Sequence, residues 1–235
     1  MDSKNTTTCS AFQTVWETGL LSLLLLLFVF IPASAEEITD DGIRFRREYE
    51  ILNGKTRNGN EEDLYLDVYI SENNPIVYAS AEEAAALLEK GNAVLYFGAP
   101  WCPWCRNIVP VLLESARESG IEKVYYVDVT NERDQYDWFS GRLVRSVPGS
   151  EGYFLLLHVL DAYLSPYQIT DDEGQLEDTG EKRLLIPFIA VVRDDVISWA
   201  KLITYPLAEG QTKYDAMTEG QRLALKTNFC SILLQ

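Results

Sequence analysis

The sequence predicts a mixed α/β domain: one sheet carrying both parallel and antiparallel strands, with helices on both faces. Three observations carry that expectation. A continuous apolar run at 93–97, a second at 124–129 broken only by Asp128, and a third at 184–192 broken only by Pro187 have the character of buried strands. Helical patterns precede and follow the first run, and another closes the chain. Arg193-Asp194-Asp195 offers a tight turn after the third run. The order is then helix, strand, helix, strand, long connection, strand, hairpin strand, helix. With 235 residues, 47% of them hydrophobic, the chain can bury a proper core.

Taken along the chain, residues 36–60 are polar, with turn signals at Asn53-Gly54 and Asn58-Gly59-Asn60. Leu64, Leu66, Val68 and Ile70 alternate with Tyr65, Asp67 and Tyr69, which predicts a half-buried strand. A short second strand is expected at 76–79. Ser80 and Glu83 have the spacing of a capping box, opening a helix that Gly91 closes. After the run at 93–97 a second helix carries Ile108, Val109, Leu112, Leu113 and Ala116 and ends near Gly120. From 131 to 183 the pattern loosens; a helix over 153–164 and an acidic turn at 171–174 are expected there. A strand follows the turn at 193–195, and Thr218 with Gln221 caps the last helix. The expected division is 1–35 as a targeting segment, 36–79 as an N-terminal β extension, and 80–235 as the main domain with a helical insertion at 131–183.

The first 35 residues read apart from the fold. An apolar run from Gly19 to Ile31 is followed by Pro32 and Ala33-Ser34-Ala35, the pattern of a secretory signal peptide cleaved after Ala35. An uncleaved membrane anchor facing outward is the alternative. Either places the domain outside the cytoplasm. A net charge of −16 argues against nucleic-acid partners and against docking on an anionic membrane.

Of the four cysteines, Cys9 would leave with the signal peptide and Cys230 stands alone. Cys102-Pro103-Trp104-Cys105 lies where a buried strand hands over to a helix. The nucleophile in disulfide exchange is a thiolate, and a helix N-terminus favours one through its unpaired N–H groups and dipole. Cys105, one turn on, can reach back to Cys102, so Cys102 is expected to attack a partner's disulfide and Cys105 to resolve the adduct. Pro103 suits the first helical turn, and Arg106 is expected to add a nearby positive charge. Half a zinc site is the competing reading, but zinc needs about four ligands, and only Cys230 and the single histidine, His158, remain. A static disulfide over so short a loop would constrain little chain. No cofactor is expected.

The segment Tyr96-Phe97-Gly98-Ala99-Pro100-Trp101-Cys102-Pro103-Trp104-Cys105-Arg106, with Pro110 beyond it, resembles the active-site segment of thioredoxins. Leu185-Ile186-Pro187-Phe188, followed by a strand and hairpin, resembles that superfamily's cis-proline segment. The resemblance covers roughly 80–129 and 184–234. It implies a thioredoxin-like fold, a cis Pro187 opposite the cysteines, and a surface from Trp101, Pro103, Trp104, Ile186 and Pro187 that holds a substrate strand. The N-terminal extension and the insertion are similar to those of secreted thioredoxin-like proteins of Gram-positive bacteria. Two departures stand out. The family's buried acid is replaced by Tyr96, so water or another group must serve the second cysteine's proton. The dipeptide between the cysteines is Pro103-Trp104, nearer to glutaredoxins and periplasmic oxidants in its proline.

The expected function is an extracytoplasmic thiol–disulfide oxidoreductase acting on exported proteins or peptides that carry thiols or disulfides, serviced by a separate redox partner. The alternative is a non-catalytic accessory protein that holds an exported peptide across the Pro187 segment, as in bacteriocin export. His158, among Leu155, Leu156, Leu157, Val159 and Leu160, reads as a helix residue rather than a catalyst. Cys230 reads as a small buried hydrophobe, and the acidic turn as solvated, because it lacks the spacing of a calcium loop.

Overall fold

The computed structural model describes residues 39–234, apart from 58, 60–62, 141 and 172. The expected signal segment with its cleavage site, Cys9, and the turn residues Asn58 and Asn60 lie outside the described residues. Among those described, no helix is long and apolar enough to cross a membrane.

The core of the molecule is a mixed five-stranded sheet. It contains β1 (Ile76–Tyr78), β2 (Ala93–Gly98), β3 (Val124–Asp128), β8 (Phe188–Arg193) and β9 (Val196–Leu202), in the order β1-β3-β2-β8-β9. β3 runs parallel to β1 and β2; β8 is antiparallel to both β2 and β9. β2 is buried along its whole length, and alternation sends its side chains to two cores. Val94 and Tyr96 join a cluster beneath α1 (Asp40–Glu50), α3 (Pro103–Glu118) and α5 (Glu219–Leu233). Ala93, Leu95 and Phe97 join a second cluster beneath α2 (Ala81–Glu89) and α4 (Glu151–Val159).

The expected capping boxes form. Ser80 and Glu83 cap α2, and Thr218 and Gln221 cap α5. The turn into β9 places both Asp194 and Asp195 at positive φ, the backbone of a type I′ hairpin turn that matches the twist of its strands.

Two expectations need correction. The N-terminal extension is not a β unit. Thr39 caps α1, whose Phe45 and Tyr49 are fully buried, and β1 is an edge of the main sheet. The segment expected as a strand at 64–70 carries no regular secondary structure beyond residue 64; it buries Val68 and Ile70, while Leu66 is half-buried and Leu64 exposed. It forms no ladder beyond a single bridge between Thr56 and Leu64. Side chains take its backbone groups instead. Asn53 pairs with both the N–H and C=O of Val68, Glu50 accepts from Ile70, and Arg106 donates to Leu66.

The insertion, in turn, is mostly strand rather than helix. Among the described residues α4 is its only α-helix, followed by a 3-10 turn at Asp161–Tyr163. Around α4 lie two hairpins, β4 (Gln135–Phe139) with β5 (Arg142–Val147), and β6 (Ser165–Thr170) with β7 (Leu176–Arg183). Both are largely exposed two-stranded ribbons, so no continuous apolar face announces them. Buried Asp134 ties them together through ion pairs to Arg145 and Arg183.

Candidate active site

β2 ends at Gly98 and the chain turns into α3 with Cys102 as its N-cap. The Cys102 N–H donates to Ala99 O at 3.1 Å, and its carbonyl accepts from the Arg106 N–H at 3.0 Å. Its sulfur accepts the Cys105 N–H at 3.2 Å, so the thiol fills the acceptor place that a serine or aspartate usually takes. Pro103 opens the helix, where a missing N–H goes unnoticed. Pro110 lies inside α3, which continues through it to Glu118.

Both cysteines are free thiols. Cys105 is fully buried, and Cys102 is only 3% exposed. Cys102 is thus the more exposed of the two thiols by a small margin, and both are buried in this conformation. The Ile186–Pro187 bond is cis, and the Cys102 thiol donates to Ile186 O over 3.9 Å. The structure thus brings together Cys102, Cys105, Pro103 and the Ile186–Pro187 segment, from two stretches of chain some eighty residues apart.

The two thiols are driven in opposite directions. For Cys102 burial pushes the pKa up, but hydrogen bonds from the Cys105 thiol and from the N–H groups of Cys105 and Trp104 outweigh it, with Arg133 adding positive charge; the net shift is downward. For Cys105 burial dominates, the neighbouring Cys102 adds to it, and the pKa is held well above the usual value. Only a hydrogen bond with Tyr96 and one with the Ala99 backbone work the other way.

Arg106 does not supply the expected charge. It is 1% exposed and donates to Leu66 O, Tyr49 O, Pro100 O and Asn53 Oδ1 at 2.6–3.0 Å. It is a clamp between α3 and the segment that follows α1. The charge near Cys102 comes from Arg133, at the start of the insertion, whose guanidinium lies 5.6 Å from the Trp101 ring. No motif marks Arg133; it follows β3 by a few residues and is recognisable only once the fold is built.

Of the two tryptophans, Trp101 is 39% exposed and fixed by its indole N–H, which donates to Thr130 Oγ1 at 2.9 Å. It presents a face beside Cys102. Trp104 is instead half-buried, edge-on to Tyr205 with ring centres 5.0 Å apart and packed against the core. Tyr96 stands beside Cys105 and works against the upward shift of its thiol. Tyr49 of α1 reaches Tyr96, hydroxyl to hydroxyl, at 2.9 Å.

The remaining candidates stand elsewhere. His158 is exposed on α4, and Cys230 is half-buried on α5. Asp171 accepts from the N–H groups of Glu173 and Gln175, closing the β6–β7 turn. Among the described residues no group of three His, Cys, Asp or Glu side chains is placed to hold a metal. Compared with protein-family models and with curated proteins, the chain matches none.

Proposed function

We propose that the protein is an extracytoplasmic thiol–disulfide oxidoreductase with a thioredoxin-like active site. One observation carries the reading: two free thiols one helical turn apart, at a helix N-terminus, with the first lowered and the second raised in pKa. A low-pKa thiol attacks and a high-pKa neighbour waits as a thiol until the adduct forms. Cys102 Sγ would attack a partner's disulfide and bond to one sulfur while the other leaves. Cys105 Sγ would then attack Cys102 Sγ, releasing the second partner sulfur and leaving a Cys102–Cys105 disulfide. Trp101 and the backbone at Ile186 flank the sulfur where a substrate chain would lie. The apolar segment before Ala35 supports export of the domain.

A second reading is kept because of the 3% exposure of Cys102. A protein disulfide reaches that sulfur only if the Trp101 or Ile186 side moves, whereas an accessory protein that merely holds a peptide needs no access to it. Trapping separates the two. Cys105→Ser should accumulate mixed disulfides with exported partners on non-reducing gels after acid quenching, and Cys102→Ser should accumulate few. Equal trapping by both would reverse the assigned roles. No trapping by either, together with no insulin reduction or disulfide reshuffling by the wild type, would establish the accessory reading.

A further inference from the structure

The resolving thiol must lose its proton in a place closed to bulk solvent. Cys105 is fully buried, and Tyr96 and Tyr49 beside it are fully buried as well. Tyr96 and Tyr49 share one buried cluster with Cys105, Tyr96 acts against the upward shift of its thiol, and the two hydroxyls lie 2.9 Å apart. The rings are fixed: Tyr96 stacks on Tyr126 with centres 5.3 Å apart, and Tyr49 packs on Phe45 at 4.6 Å. The Tyr96 ring also lies across Gly98, where a Cβ would collide with its hydroxyl. The glycine leaves that space to the hydroxyl.

A tyrosine hydroxyl has one proton to donate. The Cys105 proton is directed at Cys102, so the hydroxyls line up from Tyr49 to Tyr96 to the Cys105 sulfur, the direction a thiolate there requires. Successive donors in a dry site polarise one another. The chain has no outlet, since among the described residues the Tyr49 hydroxyl has no partner other than Tyr96. A proton passed inward could not leave. Burial, first of all, holds both tyrosines well above their usual pKa, so both keep their protons.

We propose that Tyr96 is the hydrogen-bond donor that stabilises the Cys105 thiolate in the resolving step, with Tyr49 positioning and polarising it; the proposal rests on the exchange chemistry above. Cys105 Sγ bonds to Cys102 Sγ as the bond from Cys102 to the partner breaks. The electron pair goes to the partner's sulfur, and the proton given up by Cys105 ends there, on the outer side of the site. The Cys102–Cys105 pair is oxidised by two electrons, the partner is reduced by two, and the tyrosines exchange nothing. Tyr96 acts on a developing negative charge through a fixed neutral dipole.

The test reads Cys105 directly, without any partner. In Cys102→Ser protein with carbon-13 cysteine, the Cys105 Cβ shift is titrated against pH. Adding Tyr96→Phe should raise the midpoint by about one pH unit or more, the scale of one hydrogen bond to a charged group. Tyr49→Phe should raise it less. Tyr126→Phe, which removes a hydroxyl with no hydrogen-bond partner, should not move it. With both cysteines present, Tyr96→Phe should prolong the mixed disulfide on the order of tenfold. An unchanged midpoint in Tyr96→Phe protein that melts like its parent overturns the proposal. If Tyr96→Phe does not fold, an unchanged midpoint in Tyr49→Phe does so. A wild type that exchanges no disulfides, while the Tyr96→Phe midpoint still shifts, overturns the exchange reading and supports the donor assignment.

Discussion

The two faces of the central sheet are equally dry and chemically unlike. Beneath α2 and α4 the buried residues are mostly aliphatic: Ala81, Ala84, Ala85 and Leu88 against Leu95, Val127, Ala190 and Val192. Beneath α1, α3 and α5 the same strands present Tyr96 and Tyr126 to Tyr49, the cysteine pair and Arg106. The aliphatic face draws on apolar burial, which is non-directional and tolerant of small shifts. The other face must also satisfy hydroxyls, a guanidinium and an amide, each of which has a required geometry. Asn107 shows the consequence: 5% exposed, it donates to Asp215 O and accepts from the Met217 N–H, fixing the chain before α5. One face stabilises, and the other fixes atoms in place around a reactive sulfur.

That division predicts that the faces fail differently. Leu88, 2% exposed on α2, is the sharpest probe of the aliphatic side. Leu88→Ala should cost about 2–5 kcal/mol of unfolding free energy by denaturant titration, from lost burial and the cavity left behind. Under native conditions it should leave the alkylation rate of Cys102 as it was. A changed rate would mean that the two faces are coupled through β2.

Arg106 probes the other side. Arg106→Met keeps length and removes the donors, stranding four acceptors; the expected cost is about 3 kcal/mol. Here stability and chemistry should change together, because Arg106 holds the backbone of Tyr49. Hydrogen exchange at 49–68 should quicken, and the Cys105 midpoint should rise as it does in Tyr49→Phe. Arg106→Lys should rescue little, since a single ammonium cannot match the planar fork. Full rescue by lysine would show that charge, rather than the fork, is what the site uses.

The same contrast explains what was readable beforehand. The strands at 93–97 and 124–129 and the two capping boxes follow from local rules that the fold does not override, and Cys102 announces itself by lying between a buried strand and a helix. α1 stayed hidden because only Gly42, Phe45 and Tyr49 are buried on it. Its outer face is Arg44, Arg47 and Glu48, so the stretch reads as a polar loop, although the i, i+4 pair of Phe45 and Tyr49 and the cap at Thr39 were present. The alternation at 64–70 holds as burial only at Val68 and Ile70, Leu64 being 49% exposed, and it forms no ladder, since period two does not reveal what the backbone bonds to. The hairpins of the insertion have no core of their own to leave a pattern. Tyr96 was visible only as a lack of charge; its use depends on Tyr49, forty-seven residues away.

The smallest expected effect concerns Arg133, which connects the insertion to the site. Cys102 is lowered by three hydrogen bonds and by this charge, and the charge is the weakest of the four. Arg133→Gln should therefore raise the Cys102 midpoint by roughly half a pH unit, the scale of one charge near a partly solvated group. The sign is fixed by the chemistry. Losing a cation disfavours the thiolate, so at a pH below the midpoint Arg133→Gln should alkylate more slowly than the wild type, while well above it the two should converge. Added salt should narrow the gap by slowing the wild type more than Arg133→Gln, because salt screens a charge more than it weakens the short hydrogen bonds of the N-cap. Alkylation of Cys102 followed by mass spectrometry across pH, at low and high salt, makes the measurement. A midpoint that does not move would assign the whole depression to the α3 N-terminus, and the insertion would then touch the chemistry only through the Trp101 side of the site.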